Sequence, residues 1–465
     1  LAEVGANKLT VRVRDAKDIR QPRGKQRWTD YSFGCWYTQT TGIWKSVWLE
    51  YLPETHIRSV KMTPCLTSRS VTLEFEMSGG CEGFSLETAV SFGGKTISKT
   101  EALVTDSRLV MEVPVFSMAV GEWGLKTWGP GHPDLYDVRF TLKRDGEVAD
   151  RVLSYFGMRD IRVREQDVLL NGAPLYQRLI LNQGYWKDSG LTPPDEAAMI
   201  KDIEKIFAFG YNGARLHQKV EDERFLYWCD VMGLLVWSEA PAHYFFDDRA
   251  VKNFTAEWME IVGQFYNHPS VITWVPFNES WGMPSVKTDK RQQHFQQAVY
   301  HWTKTYDANR PVIVNDGWEH TVSDILTLHD YQPSGDVFFE KYFNNQEAIL
   351  SGKLCHDGTN AAFAEGFCYR GQPVVISEYG GIALDSGGVG WGYGNKAADE
   401  EDFLKRFESI TGAIKKLPFV CGFCYTQLTD VQQEINGLMT MDRINKVDSE
   451  KIRAVNLKKT GKRMY

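Results

Sequence analysis

Two textures of hydrophobic and polar positions divide the chain. Between residues 57 and 156 apolar and polar side chains alternate in short runs, at 57–62, 70–77, 84–92, 107–115, 134–143 and 147–156, with Gly-, Ser- and Asp-rich turns between them. A period of two puts every second side chain on one face, so these runs predict the half-buried strands of an immunoglobulin-like β-sandwich. From about residue 158 short apolar runs alternate with helical periodicity, the signature of a parallel α/β arrangement. Strands are expected at 175–182, 213–217, 233–239, 271–279, 311–315, 325–331, 373–379 and 419–427, and helices at 195–209, 221–232, 248–266, 288–307 and 398–415. Thr192-Pro-Pro-Asp195 reads as a capping box for the first helix, with Ile200, Ile203, Ile206 and Phe207 on one face. Eight strands over roughly 300 residues match a (β/α)8 barrel, better than an open doubly wound sheet, because no Gly-rich phosphate loop follows the first strand. Ahead of both textures, Lys8-Leu-Thr-Val-Arg-Val13 alternates as a strand and an aromatic-dense stretch runs from Trp28 to Trp48. It reads as the end of an all-β unit with too few strands to close a sandwich.

Composition narrows the function classes. The 465 residues suffice for two or three domains, and no apolar run is long enough to span a bilayer. With 53 basic and 60 acidic residues the chain offers no cationic stripe for phosphates, which disfavours nucleic acid. Fifteen Trp supply possible platforms for sugar faces, although most Trp in any protein are core. The eight cysteines are scattered, and Cys421-Gly-Phe-Cys424 lies in a strand-like run whose alternation should put the two thiols on opposite faces. The start, Leu1-Ala-Glu-Val, reads as though cut from something longer, so the lack of a targeting segment leaves the compartment open, with a soluble cytoplasmic protein slightly favoured over a secreted one.

The chemistry gathers at the ends of the expected barrel strands, where active sites of such barrels lie. The fourth strand, Val271-Ile-Thr-Trp-Val-Pro-Phe, ends in Asn278 and Glu279, and the seventh, Pro373-Val-Val-Ile-Ser, ends in Glu378 and Tyr379. Two carboxyl groups converging on one barrel mouth are the minimum for breaking a glycosidic bond with retention. The other ends carry Arg215, His217 and Gln218, then Glu239, Asn315 and Asp316, His329, Asp330 and Tyr331, and Tyr425 and Gln427. Pro276 is unwelcome inside a strand and is read as a bulge that turns Asn278 and Glu279 together into the cavity. Arg215 and Tyr331 are expected to hold Glu378 as the anionic nucleophile. Glu279, beside Trp274 and Trp281, is expected to have a raised pKa and to act as acid/base, with Asn278 on the sugar 2-hydroxyl. His217, His329, Asp330, Trp391, Tyr425 and Gln427 complete the candidate sugar-binding set.

At these residues the chain resembles glycoside hydrolase family two, which holds β-galactosidases, β-glucuronidases and β-mannosidases. Asn278-Glu279-Ser280 is similar to its acid/base signature and Ser377-Glu378-Tyr379 to its nucleophile signature. Trp36-Tyr-Thr-Gln-Thr-Thr-Gly-Ile-Trp44 and Val47-Trp-Leu-Glu50 resemble the end of its sugar-binding jelly roll. The resemblance implies three units: residues 1–53 as the C-terminal part of a jelly-roll β-sandwich, 54–157 as an immunoglobulin-like sandwich, and 158–465 as a catalytic TIM barrel. It also implies a retaining β-glycosidase. Gly381 stands where galactosidases have a His, His243 and Phe245 stand where they have metal ligands, and Gln432-Gln-Glu-Ile-Asn436 replaces the glucuronidase Asn-x-Lys element. The expectation is therefore a β-galactoside-type substrate, with no required cofactor or metal, no nucleic acid or membrane partner, and a homo-oligomer allowed. β-Glucuronidase specificity, a carbohydrate-binding protein with little turnover, and a metal-dependent hydrolase using His217, Glu239, His243 and His329 are the alternatives.

Overall fold

The structure, a computed structural model, describes residues 5–121, 123–385, 387, 389–459 and 461. The expectation about Leu1-Ala-Glu-Val lies outside the described residues.

The sandwich has two sheets. His56–Cys65, Ser70–Ser78 and Arg108–Pro114 form one, and Lys95–Val104, Phe84–Phe92, Tyr136–Arg144 and Glu147–Phe156 the other. Alternate side chains (Leu73, Phe75, Leu86, Val90, Phe140, Leu142) fill the space between them. The strand Lys95–Val104 escapes the periodicity reading because it is an edge strand that buries only Val104 fully and so carries no apolar face.

In the barrel, Gln177–Asn182, Gly213–Leu216, Leu235–Glu239, Val271–Val275, Leu326–His329, Val374–Gly380 and Val420–Thr426 are all parallel, in the spatial order four-three-two-one-eight-seven-six. The ring closes through a short fifth strand: Val312 bridges Trp274, and Asn315–Asp316 pairs with Phe277–Asn278. Outward side chains such as Ile180, Leu216, Val236, Leu328 and Phe423 pack under the helices. Inward ones such as Leu179, Trp237, Val275, Ile313 and Val375 form a separate interior cluster. Helices follow at Glu196–Ala208, Glu223–Met232, Asp248–Phe265, Lys290–Tyr306 and Glu400–Lys416, near the expected places, and also at Gly335–Asn344, Gln346–Leu350 and Ser449–Leu457. The first is capped by Asp195, whose carboxylate accepts from Ala198 N, while Thr192 instead donates to Trp44 O.

Three sequence expectations are corrected. Residues 8–13 form no strand: all six are exposed and have no ladder partner among the described residues. Strand four is interrupted at Pro276, yet Trp274–Val312 and Phe277–Asn315 keep one register, so no bulge sits there. Cys421 and Cys424 share the interior cluster, because a register shift between Val374 and Val375 inserts Cys421 as an extra residue.

Residues 19–45 drape over the barrel mouth with only isolated bridges of their own. Arg23 N donates to Ala242 O (2.8 Å), Tyr244 N to Ile19 O (2.8 Å), and Lys45 Nζ to Glu221 O (2.6 Å). No helix among the described residues is long and apolar enough to cross a membrane.

The sandwich is joined to the barrel at Asp230. Its carboxylate, buried in helix Glu223–Met232, accepts from Tyr155 OH (2.8 Å), lies 2.6 Å from His268 Nδ1, and accepts from Ser270 N (2.9 Å). Its carbonyl accepts from Trp128 Nε1 at 2.7 Å. Removing one buried acceptor strands three donors, so Asp230→Ala is expected to lower the urea midpoint by an amount equivalent to about 3 kcal/mol. An unchanged midpoint would remove this junction from the account of stability.

Candidate active site

Each functional side chain is presented by a local backbone device. Glu279 and Ser280 both adopt left-handed φ values, 52° and 56°. Such angles are costly for residues with a Cβ and persist only where neighbours hold them. Here Glu279 N donates to Asp316 O (2.9 Å), Ser280 N to Asn315 Oδ1 (3.0 Å), and Ser280 Oγ to Glu319 Oε2 (2.6 Å). This turn, rather than a bulge at Pro276, brings Asn278 and Glu279 to one cavity. The bulge lies instead in strand seven, where Ile376 pairs with Leu328 but Glu378 with His329, and the extra residue turns Glu378 inward.

Glu279 and Glu378 consequently face each other. Ligand atoms of Glu279, His329 and Glu378 all lie within 4.8 Å of one another, the spacing of a double-displacement pair. A cation shared by these three would occupy the space between the two glutamates. The Glu378 side chain is 6% exposed and that of Glu279 16%. Arg215 Nη1 donates to Glu378 Oε1 at 2.7 Å, and Tyr331 OH donates to Glu378 Oε2. Arg215 also donates through Nε to Glu239 Oε2 (2.7 Å) and through Nη2 to Asn278 Oδ1 (2.7 Å), and Asp316 Oδ2 lies 2.9 Å from Nε as an ion pair. The Asn278 amide nitrogen, buried and unpaired, is left for a ligand.

The electrostatics reverse one expectation. Burial favours a neutral Glu279, but the hydrogen bond and charge of His329, 2.8 Å from Oε1, with Lys25 and Arg215 behind it, bring the carboxyl below its ordinary value. Trp274 does not contribute, because its ring faces outward against Trp258 and its Nε1 donates to Asp307. Trp281 donates its indole N–H to Glu279 Oε2 at 3.2 Å. Burial works against a charged His329, yet Glu378 and Asp316, with hydrogen bonds to Asp316 and Glu279, push it up to about 10. Burial pushes Glu239 up to about 8 in spite of Arg215, whereas Arg215 and His329 outweigh burial at Asp316 and hold it far below the carboxylate range.

The other predicted residues divide. His217, its Nδ1 3.1 Å from Glu239 Oε1, and Gln427, bonded to Gln183 (2.9 Å) and Asn436 (2.7 Å), join the site. Trp391 reaches its rim, its ring 5.6 Å from Tyr393 and its Nε1 on Gly34 O. Asp330 lines the cavity beside Glu279, although Gln332 N, Lys341 and Tyr342 OH take its carboxylate oxygens. Tyr425 does not join. Tyr425 packs against Tyr379 and Phe407 under the helices, and its neighbour Thr426 faces the site instead, its Oγ1 3.2 Å from Tyr331 OH. The four-residue metal set is not assembled: His243 packs among Phe254, Phe277 and Phe295, and burial pushes it down to about 4. Lys25, Tyr37, Glu434, Asn436 and Tyr393 were not foreseen. Tyr393 stacks on Tyr331 at 3.4 Å, and Trp318, Tyr331, Pro333 and Tyr393 line a cavity of about 440 Å³ beside Glu279.

Two facing glutamates at the carboxyl ends of strands four and seven define a barrel of the glycoside-hydrolase class. The chain belongs to glycosyl hydrolases family 2: the family's TIM barrel domain matches residues 161–455, and a second model of the same family matches 55–159. It is 26% identical over 327 residues to the β-galactosidase of Lactococcus lactis subsp. lactis, covering 68% of this chain and 30% of that protein. It is 30% identical over 286 residues to the β-galactosidase of Thermoanaerobacter pseudethanolicus, covering 59% and 36%. The chain thus spans about a third of the length of the curated relatives it matches. In fold it is similar to a family 2 β-galacturonidase from Eisenbergiella tayi (TM-score 0.69, 21% identity, 89% of this chain and 74% of that one). It is likewise similar to a β-glucuronidase from Bifidobacterium dentium (TM-score 0.71, 18% identity, 89% and 68%).

The raised His329 carries a linkage consequence. Its folded value of about 10 stands above the unfolded value of about 6.5, so its contribution to stability is complete below the unfolded pKa and is lost as pH rises through the folded one. The thermal midpoint is expected to fall between pH 7 and pH 10, and His329→Gln to flatten that part of the profile. Parallel profiles for the two proteins would refute it.

Proposed function

We propose that this chain is a retaining β-glycosidase acting on β-galactoside-type substrates, with Glu378 as nucleophile and Glu279 as acid/base. The approach of the two carboxyl groups within 4.8 Å carries the reading. In the first step Glu378 attacks the anomeric carbon while its bond to the leaving oxygen breaks and that oxygen takes a proton from Glu279. Arg215 and Tyr331, one on each oxygen of Glu378, hold the attacking group in line. In the second step Glu279 removes a proton from water, which cleaves the glycosyl ester and regenerates Glu378.

The proton for the leaving group belongs to the Glu279–His329 pair. With His329 charged and Glu279 ionised at rest, the Nδ1 proton faces Oε1 across 2.8 Å. Negative charge building on the leaving oxygen draws a proton onto Glu279 and from there to the substrate. Asn278, its Oδ1 fixed by Arg215, presents its free N–H groups to the 2-hydroxyl.

The names of the relatives span galactosidase, glucuronidase and galacturonidase, so the sugar is the open part of this proposal. A sugar-binding protein without turnover is the weaker reading, because both reacting carboxyl groups and their hydrogen-bond partners are assembled. An activated 2-fluoroglycoside is expected to label Glu378, and Glu378→Gln to show no measurable turnover. Glu279→Gln should lose on the order of 10²- to 10⁴-fold on substrates with poor leaving groups, much less on those with good ones, and recover with azide. Label on another residue, or equal unrescued losses in both variants, would reverse the roles. Since His243 lies in an aromatic core, chelation with EDTA is expected to leave the rate unchanged, and a loss restored by magnesium would contradict the metal-free mechanism.

A further inference from the structure

Lys25 is the unusual group at the barrel mouth. Its side chain comes from the irregular N-terminal segment, and the residue is 7% exposed. Its Nζ lies 3.2 Å from Cys35 Sγ and 5.8 Å from the Trp36 ring, and it makes no ion pair among the described residues. A buried ammonium without an ion pair is costly unless neighbouring charge or a ligand compensates it. Cys35 and Tyr244, then Glu279 and Glu434, favour the charged form of Lys25. Its place at the sugar site follows from contact: the Trp36 ring beside it meets the Trp281 ring at 5.3 Å, and Trp281 donates its indole N–H to Glu279. With Cys35 as its one side-chain hydrogen-bond partner among the described residues, the ammonium has donors to spare.

The groups around it are arranged for a polyol. Glu434, 3% exposed, accepts from Tyr37 OH and from Asn436 Nδ2 (3.0 Å), with Gln183 Nε2 at 3.5 Å. Gln183 Oε1, Trp36 Nε1 and Asn278 Nδ2 are buried with no hydrogen-bond partner. Donors and acceptors left open together suit hydroxyl groups, which both give and accept. A carboxylate on the sugar would instead join Glu279, Glu378 and Glu434 in one mouth, and the one added cation, Lys25, is already balanced by two of them.

We propose that Lys25 is a specificity-determining residue of the sugar pocket, donating to a hydroxyl of an uncharged glycon, and that Glu434 turns away uronic acids. This rests on the glycosidase reading and names the substrate class of the same site.

The test uses the full chain and four aryl β-glycosides: galactoside, glucoside, glucuronide and galacturonide. Lys25→Met keeps the length and removes the charge. It should lower kcat/KM toward the preferred uncharged glycoside on the order of 10- to 100-fold, chiefly through KM. A lysine kept only for stability would lower the thermal midpoint without raising KM, and that split separates the two roles. Glu434→Gln should raise the ratio of uronide to neutral-sugar activity. Calorimetric binding of the same glycosides to Glu378→Gln, with and without Lys25→Met, reads the contact independently of turnover. Undiminished binding and kcat/KM in Lys25→Met would overturn the proposal. So would a native preference for a uronide that Lys25→Met abolishes, which would make Lys25 a carboxylate ligand. Failure of the glycosidase reading itself would appear separately, as absence of 2-fluoroglycoside label on Glu378.

Discussion

A guanidinium with no exposure to water ties this barrel together. Arg215 projects inward from strand two, and its donors are met by Glu239 from strand three, Asn278 from strand four, Asp316 from strand five and Glu378 from strand seven. Ser377 O and His217 Nδ1 complete its surroundings at 3.4 and 3.2 Å. Burying such an ion costs several kcal/mol unless all its N–H groups find partners, and no one strand supplies them. The compensation exists only when the ring of strands has closed. Barrel closure and assembly of the site are thus one event, and the same hydrogen bonds that offset the burial fix the rotamers of Glu378 and Asn278.

The charges around Arg215 are sorted by that constraint. Three acids within reach of one cation cannot all ionise cheaply, and the environment pushes two of them apart: Glu239 to about 8, Asp316 far below the usual range. A second cation then becomes favourable on the far side of Asp316, and His329 takes that place, 3.2 Å from Asp316 and 2.8 Å from Glu279. Arg215, Asp316, His329 and Glu279 form one chain of alternating charge, with Glu239 as its neutral neighbour at the Arg215 end. Glu279 is therefore coupled to Glu378, the other partner of Arg215, through protein groups.

What could be read from the sequence follows from how local the signal is. Six of the seven sandwich strands, seven of the barrel strands and both glutamates were legible, because each depends on a few consecutive residues and on the rule that polar strand ends face the barrel mouth. Side-chain direction at those ends was less legible. Tyr425 was assigned to the site, while strict alternation from Cys424 would have turned it outward and selected Thr426. The reverse happened at Glu378, where a bulge no propensity announces overrides alternation. The pKa of Glu279 was misjudged because its apolar neighbours in sequence were counted and His329, fifty positions away, was not. Lys25 carried no signal, and Tyr37 and Glu434 lay in stretches quoted only for or against the family resemblance, since their meeting depends on a loop crossing the mouth of a barrel it is not part of.

That loop gives the site two mechanical characters. Glu279, Glu378, Asn278 and Arg215 stand on strands whose ladders and packing make local opening expensive. Lys25, Trp36 and Tyr37 stand on a segment held by scattered hydrogen bonds, such as Arg23 to Ala242 and Gln433 to Gly34, with no ladder beneath it. Local stability follows buried contacts and protected hydrogen bonds, so the segment opens at lower cost than the barrel. The two glutamates are then fixed on the rigid part and Lys25, Trp36 and Tyr37 on the yielding part.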